Sequence, residues 1–222
     1  MDQYTKELYD IFKLHQNETN RPSMESYMKN HFHFLGIKTP ERRQLIKDFI
    51  QQHGLPNDLS IIKEIWDLEE RELQYVALDL LSKGSKKAEI ERIEFYEQLI
   101  TEKSWWDTVD TIAGSLISLH FLRFPDLIPQ YTDRWIHSEN MWLQRAAILH
   151  QLKFKQQTNE ERLFKHIKIV SVSKEFFIQK AIGWALREYS KINPISVRNF
   201  VTGNENILAP LSKREALKRM TN

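Results

Sequence analysis

A five-residue pattern recurs in this chain at a fixed interval. Leu73-Gln74-Tyr75-Val76-Ala77, Leu143-Gln144-Arg145-Ala146-Ala147 and Ile178-Gln179-Lys180-Ala181-Ile182 are visibly one motif. The last two start 35 residues apart, and the first two start 70 apart. The missing unit between them falls on Thr108-Val109-Asp110-Thr111-Ile112. An interval of this length holds two helices and their turns, so the expectation is an all-α chain. Its architecture would be an α-solenoid of HEAT-like two-helix repeats, slightly short of the usual period of that class. The register sets Tyr75, Asp110, Arg145 and Lys180 at equivalent positions of four successive helices, lined up along one face.

The local signals agree. Only 6 Gly and 7 Pro occur in 222 residues, too few for many tight β-turns. Apolar residues fall at helical spacing almost throughout, and no period-2 strand pattern stands out. The spacing predicts helices over 2–15, 22–34, 39–52, 59–66, 69–83, 90–101, 104–119, 125–136, 141–154, 159–170, 173–190, 193–201 and 210–219. Gly36 is expected to end the second of these in the left-handed conformation. The whole of 1–222 is expected to form one solenoid domain. The chain has no cysteine, which excludes disulfides, thiolate metal sites and a cysteine nucleophile and is compatible with a reducing cytoplasm. Residues 1–7 hold no apolar signal core, and no apolar run is long enough to span a bilayer. His31 and His33 stand two apart and the other histidines show no ligand spacing, so neither a metal nor a cofactor is expected.

The stretch Lys103-Ser104-Trp105-Trp106-Asp107-Thr108-Val109-Asp110 carries the densest chemistry. Ser104 and Asp107 read as a capping box that starts a helix. Its core stripe would be Val109, Ile112, Ala113 and Leu116. Trp106 and Asp110 are four apart and lie on the same flank. Asp110 is turned by about 100° from Val109, beside the core stripe. A carboxylate next to an indole face suits a cation or a developing positive charge. An acidic residue in the first turn of a helix is also simply favoured by the helix dipole.

The net charge of +2 hides a segregated distribution. In the 173–190 helix the core stripe is Ile178, Ile182, Ala185 and Tyr189. A second stripe holds Lys180, Trp184, Arg187 and Lys191, a tryptophan among three cations, which suits a surface that meets phosphates. Lys153 and Lys155 extend the cations from the preceding helix. Tyr27, Lys29 and Arg43 offer the same at the N-terminal end. Arg145 lies in a nearly apolar helix and needs a partner. Two readings stay open for it: an Asp110–Arg145 ion pair that ties repeats together, or a groove lined by a tyrosine, a carboxylate and two cations.

These residues carry a resemblance. Lys103 to Asp110, Trp142-Leu143-Gln144-Arg145-Ala146-Ala147 and Ile182-Gly183-Trp184-Ala185-Leu186-Arg187-Glu188-Tyr189 resemble the bacterial AlkD family of DNA alkylation repair glycosylases. Tyr27-Met28-Lys29-Asn30-His31-Phe32 and Ala209-Pro210-Leu211-Ser212-Lys213-Arg214-Glu215-Ala216 are similar too, so the likeness runs essentially end to end. It implies a solenoid whose concave, basic face holds duplex DNA. It also implies a catalytic carboxylate at Asp110, sugar- and backbone-contacting tryptophans at Trp106 and Trp184, an active-site arginine at Arg145 and an aromatic at Tyr27. The implied enzyme is a monomer of the bacterial cytoplasm, nucleoid-associated when bound, that excises N3- and N7-alkylated purines from duplex DNA without enclosing the base.

The chemistry is consistent with that implication. Alkylation at N3 or N7 makes a purine cationic and therefore a good leaving group, and an oxocarbenium-like sugar develops as it departs. A fixed carboxylate and electron-rich indole faces stabilise that charge. No second carboxylate or histidine stands at a spacing that would put a general acid near Asp110. Two other classes fit part of the pattern: a solenoid that binds a protein partner, and a binder of structured DNA without catalysis.

Overall fold

The computed structural model describes residues 1–220, which are helical with no strand among them. They form two compact units, residues 1–87 and the remainder from Ala88.

The first unit holds α1 (Gln3–Leu14), α2 (Arg21–Tyr27), α3 (Thr39–His53), α4 (Leu59–Asp67) and α5 (Arg71–Gly84), followed by a single 3₁₀ turn, Ser85–Lys87. Leu8, Phe12, Ile46, Phe49, Ile62, Ile65, Trp66, Leu73 and Val76 fill its core. The helix expected over 22–34 stops at Tyr27. Lys29 and Asn30 both take positive φ, near 58° and 57°, which no α-helix accommodates. An irregular segment follows, and Gly36 belongs to it rather than to a helix end. Gly36 has φ of 85°, and a Cβ there would meet the Asn17 carbonyl oxygen at 2.0 Å. The segment is held by the buried Glu72 carboxylate, which accepts the backbone N–H groups of Leu35, Gly36 and Ile37 at 3.0, 2.9 and 3.0 Å. Burial pushes the Glu72 carboxyl up while those three amides pull the other way. On α5, Tyr75 lies under the Arg42 guanidinium, 4.7 Å from the ring centre.

The second unit holds α6 (Arg92–Thr101), α7 (Trp106–Thr111), a π-helical segment (Ile112–Ile117), α8 (Ser118–Arg123), α9 (Leu127–Ile136) and α10 (Met141–Leu149). It continues with α11 (Glu160–Val170), α12 (Phe176–Tyr189), α13 (Pro194–Gly203) and α14 (Pro210–Leu217). Helices α7, α10, α12 and α14 succeed one another as packed neighbours, the row that a solenoid of helix pairs requires. The expected core stripe Val109, Ile112, Ala113 and Leu116 is buried, and Ile117 and Phe121 join it.

The expected capping box does not form. Lys103 takes φ of 47°, and the Ser104 hydroxyl turns back to donate to the Ile100 carbonyl of α6 at 2.6 Å. Trp105 in extended conformation becomes the residue before α7 and gives no side-chain cap. The tight link between α6 and α7 uses Ser104 to finish one helix instead of starting the next. The helix from Trp106 then widens into the π segment at Ile112, two residues past Asp110. Ser118 closes the wide turn: its backbone N–H donates to the Ala113 carbonyl, and its hydroxyl lies 3.2 Å from the same oxygen and also reaches the His150 carbonyl of the neighbouring chain segment.

Gly183 sets how closely α12 and α14 approach. A Cβ at this position would lie 2.5 Å from the Glu215 Cβ and 2.9 Å from the Ser212 carbonyl oxygen. Gly183→Ala is expected to lower stability by about 2 kcal/mol, because the crowding falls on a main chain and a Cβ that cannot rotate away. Thermal denaturation checks this, and an unchanged midpoint would mean that α14 gives way freely.

His150 makes stability depend on pH. It is buried, its Nδ1 lies 2.8 Å from the Ala147 carbonyl, and burial pushes its pKa down to about 3 from 6.5. The folded pKa is below the unfolded one, so the unfolded chain binds more protons below pH 6.5 and stability falls as pH drops through that value. Burial lowers His120 and His166 in the same direction. Between about pH 7 and about pH 5 the expected loss from His150 is roughly 2 kcal/mol. Denaturant titrations at the two pH values measure it, and a flat profile would contradict the neutral, buried imidazole.

Candidate active site

Arg145 on α10 is almost fully buried, and three acceptors hold it. Its Nε donates to Asp110 Oδ1 at 2.7 Å and its Nη2 to Asp110 Oδ2 at 2.8 Å. Its Nη1 donates to the Phe177 carbonyl of α12. The fork pins the carboxylate in one orientation, and a two-point contact of this kind requires both oxygens as acceptors. Burial pushes the Asp110 carboxyl up, and Arg145 opposes that shift. Asp110 retains a side-chain exposure of 16%. The ion pair is therefore present, and it stands at the edge of a cavity rather than inside a sealed core.

That cavity has a volume of about 250 Å³. Trp106 and Arg145 form one wall, and Lys180, Trp184 and Arg187 from α12 form another. Phe176 stands 55% exposed beside it, its ring 5.9 Å from the Lys180 ammonium. Phe177 belongs to a cluster with Trp105 and Trp142, with ring centres 5.1 Å from each. This cluster supports the site from below. The Asn140 side chain caps α10 by accepting the Trp142 N–H at 2.8 Å, which fixes the start of the helix that carries Arg145.

The remaining lining residue is Glu215 of α14. It accepts from Lys180 at 3.1 Å and from Arg187 at 2.6 Å. A carboxylate that the spacing of the sequence did not single out thus shares the cavity with Arg145, the partner of Asp110. It does not supply a proton, because Lys180 and Arg187 hold its carboxyl below the usual carboxylate range. The period of 35 separates Lys180 from Glu215 just as it separates Asp110 from Arg145. One more step of the repeat finds it.

The structure brings together Asp110, Trp106, Arg145, Lys180, Trp184 and Arg187. The stripe expected to end at Lys191 breaks before it, because α12 stops at Tyr189. Lys191 turns back onto Glu188 at 2.6 Å. Lys155 and Lys191 border a different cavity of about 300 Å³ with Ile148, Leu152, Leu163 and Tyr189. Helix α10 ends at Leu149, short of the expected Phe154, so Lys153 and Lys155 sit on exposed turns, Lys155 with φ of 51°. Tyr27, Lys29 and Arg43 are exposed residues of the first unit. Phe176 was legible as the stripe Lys180, Trp184, Arg187 carried back by four residues. Phe177 acts through its main-chain carbonyl, for which side-chain patterns give no sign.

The sequence model of the DNA alkylation repair enzyme family matches residues 10–220. The chain belongs to that family. A solved structure described as "Predicted DNA alkylation repair enzyme from Enterococcus faecalis" is similar over 93% of this chain and 97% of its own, with 34% identity and a TM-score of 0.86. A search of curated proteins finds no match. Membership places this DNA alkylation repair protein among enzymes that deal with alkylation damage, with DNA as the partner. Among the described residues no three His, Cys, Asp or Glu side chains are grouped to hold a metal ion. No helix among them is long and apolar enough to cross a membrane.

Proposed function

We propose that this DNA alkylation repair protein is a glycosylase that hydrolyses the N-glycosidic bond of cationic N3- and N7-alkylpurines in duplex DNA. The observation that carries the reading is the Asp110 carboxylate gripped by Arg145, which lines one open cavity together with Trp106 and Trp184. A cationic base leaves without protonation, so the enzyme has only to stabilise the sugar cation and admit water. Asp110 is the fixed negative group for that task, and it orients the attacking water through the oxygen lone pairs that Arg145 does not use. The indole faces of Trp106 and Trp184 add attraction on the same side. Lys180 and Arg187 take phosphates of the damaged strand. Lys153, Lys155, Lys191, Lys29, Arg43 and Tyr27 extend the contact with duplex DNA in this reading, and the protein works as a cytoplasmic monomer.

The bidentate pair favours a second reading, in which Asp110 and Arg145 neutralise each other and the protein binds damaged DNA without catalysis. Release of free base from a methylated duplex separates the two. Excision by the wild-type protein supports the first, and tight binding without release supports the second.

A further inference from the structure

The four helices of the row carry Asp110, Arg145, Lys180 and Glu215 at one repeat position, in the charge order minus, plus, plus, minus. Each cation of the column is matched by one acid, Arg145 by Asp110 and Lys180 by Glu215. Arg187, two turns along α12 from Lys180, adds one positive charge beyond these two pairs. Glu215 stands between both phosphate-facing cations, with 13% of its side chain exposed. It cannot swing out of their way easily, because the helix bearing it is pressed against Gly183. Arg187 keeps Nε and Nη2, and Lys180 keeps two of its three donors, for a further acceptor.

We propose that Glu215 sets the phosphate affinity of the Lys180–Arg187 pair: its carboxylate occupies part of an anion subsite, so a DNA phosphate shares the two cations with it. Glu215 is a specificity-determining residue in this scheme. It trims the sequence-independent attraction that every phosphate offers and leaves discrimination to contacts at the lesion. The inference rests on the DNA-binding part of the function proposed above and not on base release.

The test is binding of an undamaged 12-mer duplex, followed by fluorescence anisotropy over a potassium chloride series. Glu215→Gln is expected to bind roughly fivefold more tightly, the effect of one charge at close range in water. The slope of log K against log salt should steepen by about 1. Lys180→Met should weaken binding more in the Glu215→Gln background than in wild type. Glu215→Asp keeps the charge and should keep the wild-type slope. It also guards against misreading a loosened α14 as an electrostatic effect. An unchanged or shallower slope for Glu215→Gln overturns the inference, as does an equal steepening with Glu215→Asp. If wild type binds and releases base while the slopes stay equal, this inference alone fails. If the slope steepens in a protein that releases no base, the inference stands and the excision reading fails. Absence of DNA binding in every variant overturns both.

Discussion

Asp110→Asn is expected to slow single-turnover release of 7-methylguanine by about 10²–10³-fold, the usual effect of removing one preorganised group from a developing charge. The side chain keeps its shape and one carbonyl oxygen, so DNA binding should survive. Stability should not be untouched. Arg145 is 4% exposed and would lose its counter-charge, for which a penalty on the order of 3 kcal/mol is typical. The retained Asn oxygen and the Phe177 carbonyl keep the loss toward the lower end. Rates must therefore be measured well below the melting midpoint of the variant, and that midpoint must be measured alongside. A folded variant that excises at the wild-type rate removes Asp110 from the chemistry and leaves the DNA-binding reading. A variant that does not fold shows that the carboxylate's main duty is to neutralise Arg145.

The second large effect is discrimination by charge. A neutral leaving base needs a proton, and a positioned acid contributes about 10²–10⁴-fold in rate. Two carboxylates bear on the site, Glu215 in the cavity lining and Asp110 paired with the lining residue Arg145, and neither is such an acid. Asp110 is committed to Arg145 through both oxygens, and Glu215 is kept ionised by Lys180 and Arg187. The protein should accordingly release 7-methylguanine and 3-methyladenine and leave uracil and hypoxanthine in place, by a margin of at least about 10²-fold. Parallel single-turnover assays on 7-methylguanine and uracil duplexes give the ratio directly. Comparable excision of uracil would require a proton donor other than these two groups.

The helical class and the site were legible for different reasons. Repetition at 35 residues fixed which helices are equivalent, and it placed Asp110 and Arg145 in register before any distance was known. Side-chain periodicity found Trp184, Lys180 and Arg187 because a helix displays its faces at regular intervals. What it failed to find depended on main-chain events. Positive φ at Lys29 and Asn30 ended a segment that reads as continuous helix to Phe34. Ser104 chose the carbonyl behind it over the amides ahead, and both choices use the same residue type. The π segment ends on a serine whose hydroxyl and backbone N–H both reach the Ala113 carbonyl, and the apolar stripe around it looks the same in either geometry. Glu215 was within reach of the repeat but stood in a helix that reads as merely basic and solvated.

Repeat arrays usually tolerate gain or loss of a unit, since each module needs only a neighbour of similar shape. The charge column makes this array an exception. A copied Arg145 module would seat one buried guanidinium beside another, and a copied Glu215 module would face an acid with an acid; either leaves a charge unmatched where water cannot reach it freely. Modules that are interchangeable in shape are therefore ordered by electrostatics. The number of repeats from Asp110 to Glu215 is held by the same pairs that build the site, so lengthening or shortening this part of the chain by recombination would break function and folding together.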